Sequence, residues 1–220
     1  MVTRVAADPD LLTRWTDVVG TETAAVGRDL LSRWSEPHRE YHGVAHLRAV
    51  LDSVEVLAGH ARDLTAVRLA AWFHDAVHEG EAGADEEASA LLAEQVLPAV
   101  GVPDDRVADV ARLVRLTAGH DPAPGDADGA VLCDADLAVL GGEPAAYAAY
   151  AAAVRREYSA VPDEAFRAGR AAVLERLLAL DPLYRTPTAR RLWAEQAAAN
   201  LRAELGRLRA GPSGGAALRS

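Results

Sequence analysis

The sequence predicts an all-α fold, a single compact multi-helix bundle, and three observations carry that prediction. Alanine, leucine and arginine dominate, β-branched residues other than valine are few, and apolar positions recur at spacings of three and four through most segments. The first clear stripe covers residues 41–57, where Val44, Leu47, Val50, Leu51, Val54 and Leu57 fall on one helical face. Similar stripes follow over 64–77, 86–100, 104–116, 143–158, 163–180 and 188–208. Helix-stopping or turn-forming residues separate them: 80–83, Pro103, 122–129, Gly141 with Gly142, Pro162 and 182–187. Asp104 is the expected cap of the 105–116 stripe and Thr188 of the last one. No internal repeat and no long linker interrupts this alternation, so one domain over residues 1–210 is expected, with residues 211–220 as a disordered tail.

Composition narrows the chemistry. Of 220 residues, half are apolar and a quarter charged, as in folded globular proteins. Basic residues number 23 and acidic ones 33, a net charge of −10 that disfavours sequence-independent binding to nucleic acid or to an anionic membrane. No apolar run reaches the ~20 residues of a membrane span, and the opening MVTRVAADPD lacks the apolar core of a signal peptide, so the expectation is a cytoplasmic protein. Cys133 is the only cysteine, which excludes an intramolecular disulfide and a zinc site built on several thiolates. Within its apolar run it reads as a buried, inert thiol. There is no lysine, so Schiff-base chemistry and the lysine of phosphate-loop ATPases are excluded. Neither a GxSxG elbow nor a GxGxxG fingerprint is present.

The histidines are unevenly placed. Four of the seven lie in two runs, Tyr41-His42-Gly43-Val44-Ala45-His46 and Phe73-His74-Asp75-Ala76-Val77-His78. The spacing predicts His42 and His46 one helical turn apart on a common face. His74 and Asp75 end the apolar run Leu69-Ala70-Ala71-Trp72-Phe73, where an ionised carboxylate is costly unless a cation or a hydrogen-bond network compensates it. Asp134 and Asp136 interrupt a third apolar stretch. Two histidines plus carboxylates form a mixed nitrogen and oxygen donor set, which suits a divalent ion: Mn²⁺, Fe²⁺, Co²⁺, Ni²⁺, Zn²⁺ or, less strongly, Mg²⁺.

The order of these runs, a histidine, then a His-Asp pair on the next helix, then a later aspartate, resembles the HD superfamily of metal-dependent phosphohydrolases. The resemblance covers about residues 9–209 and looks closest to a subgroup of predicted HD phosphohydrolases. It rests on Arg39-Glu40-Tyr41-His42, Trp72-Phe73-His74-Asp75-Ala76-Val77, Asp85-Glu86-Glu87-Ala88-Ser89-Ala90, Asp134-Ala135-Asp136-Leu137 and Val154-Arg155-Arg156-Glu157-Tyr158, with Phe166 and Gly169-Arg170. It implies His46, His74, Asp75 and Asp136 as metal ligands, with Asp134 the fallback for the last. His42 matches a position that in one branch protonates the leaving oxygen. Gly43 stands where a polar residue is common and His78 where an aromatic is expected, departures that bear on substrate contacts and leave the metal set intact.

A metal-activated water attacking phosphorus is the implied reaction, with Asp75 in the catalytic centre, His42 as acid, and Asp134 or Asp121 orienting the water. With no lysine, phosphate contacts fall to Arg39, Arg155, Arg156 and Arg170, together with His120. Arg39 is the first choice because it precedes His42. Glu86 is a candidate outer partner fixing the tautomer of a ligand histidine. The expected substrate is a small phosphorylated metabolite, a nucleotide above others. Two other classes are a non-catalytic metal- or nucleotide-binding module and a di-iron oxygenase, with His78 or His120 and Glu86 as extra ligands. Alanine-rich faces at 144–154 and 194–208 suit either a homo-oligomer contact or intramolecular packing.

Overall fold

Seven of the ten residues in the helix Leu64–Phe73 are buried, leaving Thr65 and Arg68 on its one polar side, and the other helices collect around it. The computed structural model describes residues 8–210, which form ten α-helices and no strand. In chain order these are α1 Pro9–Val19, α2 Ala24–Arg33, α3 Val44–Leu57, α4 Leu64–Phe73, α5 Ala84–Val96, α6 Asp104–Leu116, α7 Ala127–Asp136, α8 Pro144–Glu157, α9 Asp163–Ala179 and α10 Pro187–Ala210. The expected tail at 211–220 lies outside the described residues. Helix α4 packs against α1, α3, α5, α6 and α7, while α10 closes the other side against α9 and the 3₁₀ turn Leu137–Gly141. Trp15, Trp34 and Trp72 are buried in this core and Trp193 is packed against it, as their large apolar area favours.

The all-helical prediction holds, and several boundaries move. Helix α3 begins at Val44, because Gly43 takes an extended backbone (φ −114°, ψ −167°) and leaves His42 in the preceding turn. Helix α4 ends at Phe73, so His74 and Asp75 stand at its C-terminal turn. Asp104 is the first residue of α6 and makes no capping bond, and α10 is capped by Thr186, whose Oγ1 accepts from the Ala189 amide at 3.2 Å, in place of Thr188. The alanine face of α10 is turned inward at Ala189 and Ala197, which are fully buried. Among the described residues no single helix is long and apolar enough to cross a membrane.

Candidate functional site

Three helix ends meet at one point: the first turn of α3 carries His46, the end of α4 carries His74 and Asp75, and the end of α7 carries Asp136. The Nε2 atoms of His46 and His74 are 3.2 Å apart. Asp136 Oδ1 lies 3.1 Å from His46 Nε2 and 3.6 Å from His74 Nε2. Asp75 Oδ2 lies 3.3 Å from His74 Nε2 and 3.7 Å from His46 Nε2. Donors bonded at about 2.1 Å to one ion stand roughly 3.0–3.6 Å from one another, so His46 Nε2, His74 Nε2 and Asp136 Oδ1 already have the spacing of a shared cation, and Asp75 Oδ2 stands beside the two nitrogens.

The protonation pattern suits the same role. His74 Nδ1 is 2.9 Å from the Ala71 carbonyl, a bond that places the proton on Nδ1 and the lone pair of Nε2 toward the cluster. Without a cation, burial disfavours a charge on His74, but the adjacent Asp75 and Asp136 outweigh it and hold its pKa well above the usual range. Burial wins at His46, whose pKa falls. Burial raises the carboxyls of Asp75 and Asp136, and the His74 charge with the histidine hydrogen bonds more than reverses this, so both stay ionised. Two part-buried carboxylates facing imidazole nitrogens fit a divalent ion by charge.

A second cluster adjoins the first. The Glu157 carboxylate at the end of α8 binds His42 Nδ1 through Oε1, which also lies 3.0 Å from His78 Nε2. Its Oε2 accepts from the successive amides of Glu40, Tyr41 and His42 at 2.8, 2.9 and 3.0 Å. Burial opposes the negative charge, yet the two histidines and the Tyr41 amide hold the Glu157 carboxyl far below its ordinary value. The histidines at 42 and 46 do approach, with ring centroids 5.7 Å apart, although the turn before α3 brings them together instead of a shared helical face.

Several residues expected at the site do other work. Asp134 is fully buried, and its two oxygens accept from the Arg185 and Thr186 amides at 2.8 and 2.7 Å, so it anchors the entry to α10 and is neither water-orienting base nor alternative ligand. Arg39 has no exposed side-chain surface. Its guanidinium donates to the carbonyls of His42 (3.1 Å), Asp75 (2.6 Å) and Ala76 (3.3 Å), which ties the two histidine-bearing turns together and leaves nothing for phosphate. Arg155 donates to the Tyr158 and Val161 carbonyls and to Asp163, Arg156 pairs with Glu40 at the surface, and Arg170 makes a two-point pair with Glu204 and a bond to the Tyr150 hydroxyl. Glu86 caps its own helix by accepting from the Gly83 amide, and Asp121 pairs with Arg185. His120, at a positive φ of 54°, reaches Asp136 Oδ2 at 2.7 Å and so holds the ligand carboxylate, while its buried Nδ1 has no partner among the described residues.

Asp85, Ser89 and Glu157 carry no site role in the sequence reading, although all three stand in the motifs quoted above. Asp85, buried at the start of α5, accepts from the amides of Glu79, Gly80 and Glu81 at 3.0, 2.8 and 2.9 Å and shapes the loop after His78. Ser89 one turn later exchanges bonds with both backbone groups of Val77. Asp85, an acid opening a helix, looks like an ordinary dipole partner, whereas Glu157 closes α8, where the dipole disfavours a negative charge, and that mismatch is its mark in the sequence. Cys133 is buried, and burial pushes its thiol pKa well up, in keeping with an inert role.

A chamber of about 410 Å³ opens on this centre, with His42, His120 and Asp136 at one end and Leu137, Leu140, Val154, Tyr158 and Phe166 among its walls. A larger hollow of about 710 Å³ between α8, α9 and α10 is lined by none of the cluster residues. No family model matches the chain, and no curated protein or solved structure matches it either.

Proposed function

We propose that this chain is a metal-dependent phosphohydrolase of the HD type, acting on a phosphate bond of a small metabolite. The observation that carries the reading is the convergence of His46, His74, Asp75 and Asp136, with the nitrogen-to-nitrogen and nitrogen-to-oxygen separations of one coordination sphere. A divalent ion bound there would polarise a phosphoryl oxygen and make a water more acidic. His120 fixes Asp136 through Oδ2, so Oδ1 stays turned to the two histidines. Glu157 holds His42 by Nδ1 and by its amide, leaving Nε2 as the nitrogen able to give a proton to a leaving oxygen. Arg39 locks the turn carrying His42 to the turn carrying Asp75, so acid and ligand keep a fixed separation. With every arginine proposed for phosphate already paired, the substrate's charge falls to the metal centre and the nearby histidines.

The test compares native protein with Asp75→Asn after loading with Mn²⁺, Co²⁺, Ni²⁺ or Mg²⁺. Native protein is expected to hold one ion per chain by elemental analysis and to release phosphate from at least one member of a panel of phosphate esters and pyrophosphates. The variant should lose activity by about 100-fold or more while its helical circular dichroism is unchanged. One tightly bound ion with no phosphate release from any substrate would replace this reading with a binding module. A second reading has one observation in its favour: His42, His78 and Glu157 also offer ligand atoms within 4.8 Å of one another. Two irons per chain would turn the assignment to an oxygenase.

A further inference from the structure

The chamber beside the proposed metal centre has a mostly apolar wall. Its walls come from the 3₁₀ turn after α7 and from α8 and α9, with Leu137, Leu140, Val154, Phe166, Val173 and Leu177 among the lining side chains. Only part of its polar lining is committed: the Arg170 guanidinium is paired with Glu204, and the Tyr150 hydroxyl takes a bond from Arg170. Arg176, exposed on α9, and the hydroxyls of Tyr41 and Tyr158 have no hydrogen-bond partner among the described residues. A nucleobase and ribose would bring more donors and acceptors than these few groups can pair, and each one buried unpaired loses roughly ten-fold in affinity. A hydrocarbon or aryl group loses nothing there, and about 410 Å³ lies within the roughly 300–1,000 Å³ range of small-molecule sites.

One wall residue bears on the same point. Gly169 lies inside α9, where glycine is an unfavourable helix former, and it lines the chamber. Gly169 is exposed, and a Cβ placed on it meets nothing within 4 Å, so a side chain can be introduced at this edge of the chamber without displacing a neighbour at its first carbon.

We propose that the chamber takes the apolar organic group of a phosphate monoester, an aryl or alkyl phosphate in place of a nucleotide. The reaction half of this statement rests on the phosphohydrolase reading; the binding half does not. In the balanced step water adds to phosphorus, the ester P–O bond breaks, and the alcohol leaves with a proton from His42, which the water's proton restores.

The experiment uses Mn²⁺-loaded native protein with Gly169→Phe and, as a folding control, Gly169→Ala. Calorimetric titration measures affinity for 1-naphthylmethylphosphonate, which cannot be hydrolysed, and for the 5′-phosphonate analogue of adenosine monophosphate. Phosphate release is followed from 1-naphthyl, hexyl and methyl phosphate and from adenosine monophosphate. The naphthyl ligand is expected to bind native protein about ten-fold or more tighter than the nucleoside one. Gly169→Phe should weaken it by roughly ten-fold while metal content and methyl phosphate turnover hold, and Gly169→Ala should behave as native. Equal or tighter binding of the nucleoside ligand, or an unchanged naphthyl affinity in Gly169→Phe, overturns the proposal. Release from adenosine monophosphate in preference to the apolar esters also overturns it and leaves the phosphohydrolase reading standing. Naphthyl binding that Gly169→Phe weakens, with no phosphate released from any ester, keeps the chamber assignment and overturns the hydrolytic one.

Discussion

Asp134 and Asp136 stand two residues apart on α7 and face different partners. Asp136 looks into the histidine cluster, whereas Asp134 receives two backbone amides from the segment before α10. Removing each should therefore fail differently. Asp134→Ala leaves two buried amides unpaired and is expected to cost about 2–4 kcal/mol in denaturant unfolding with metal content unchanged. Asp136→Ala should abolish metal binding at a smaller loss of metal-free stability; the opposite pattern would exchange the two roles. Glu157 allows a pH test on metal-free protein. Its folded pKa lies below the ordinary 4.5, so its stabilisation is complete above about pH 4.5 and fades as pH falls through the folded value. For His42, burial lowers the pKa from 6.5, but the Glu157 bond and the charges of Asp75 and Glu157 raise it overall, so its share is complete below 6.5 and fades as pH rises through the folded value. The penalty of Glu157→Gln should thus be largest between about pH 4.5 and 6.5 and shrink on either side. The residues of the histidine–aspartate cluster stood out in the sequence because they are charged or titratable groups inside apolar runs. The arginines were indistinct, since a guanidinium paired with Glu204 or with three carbonyls is spelled like one awaiting phosphate.

Among the helices, α5, α6, α8, α9 and α10 and most of α3 and α4 could be read from three-and-four spacing, because each buries one stripe. Helices α1, α2 and α7 could not. Helix α7 begins at Ala127, inside a stretch whose prolines and glycines signalled a loop, and Asp126 starts it by accepting from the Gly129 amide at 3.0 Å. The site depends on where helices stop as much as on where they run: α3 entered at Tyr41 would have put His42 on the helix, and the extended Gly43 prevents this. A tight contact holds the last helix in place. A Cβ on Gly141 would lie 2.4 Å from Trp193 Cβ and 2.7 Å from its Cα, so the 3₁₀ turn and α10 must separate to admit one. Gly141→Ala is expected to cost roughly 1–3 kcal/mol, seen as a melting temperature lower by roughly 2–4 °C per kcal/mol.

Across the whole molecule, the proposed ligands at positions 46, 74, 75 and 136 join segments far apart in the chain, so an ion bound there would act as a cross-link between α3, α4 and α7. Saturation with Mn²⁺ at 100 times its dissociation constant should add about 2.7 kcal/mol to stability, read as a higher melting temperature that a chelator reverses. An unchanged melting curve would mean no ion binds the folded state preferentially. The chain's high content of acid, 33 residues, was legible at once as a bias against nucleic acid, but not that some of these acids serve as internal receptors for backbone. Glu157, Asp85 and Asp134 together seize the amides of residues 40–42, 79–81 and 185–186, none of them inside an α-helix. Loop amides ordinarily trade their hydrogens for solvent deuterium within moments, whereas these should retain them as long as the helices do. In an exchange experiment the rim of the centre would then carry the isotopic signature of a core, and it would open only when the molecule itself comes apart.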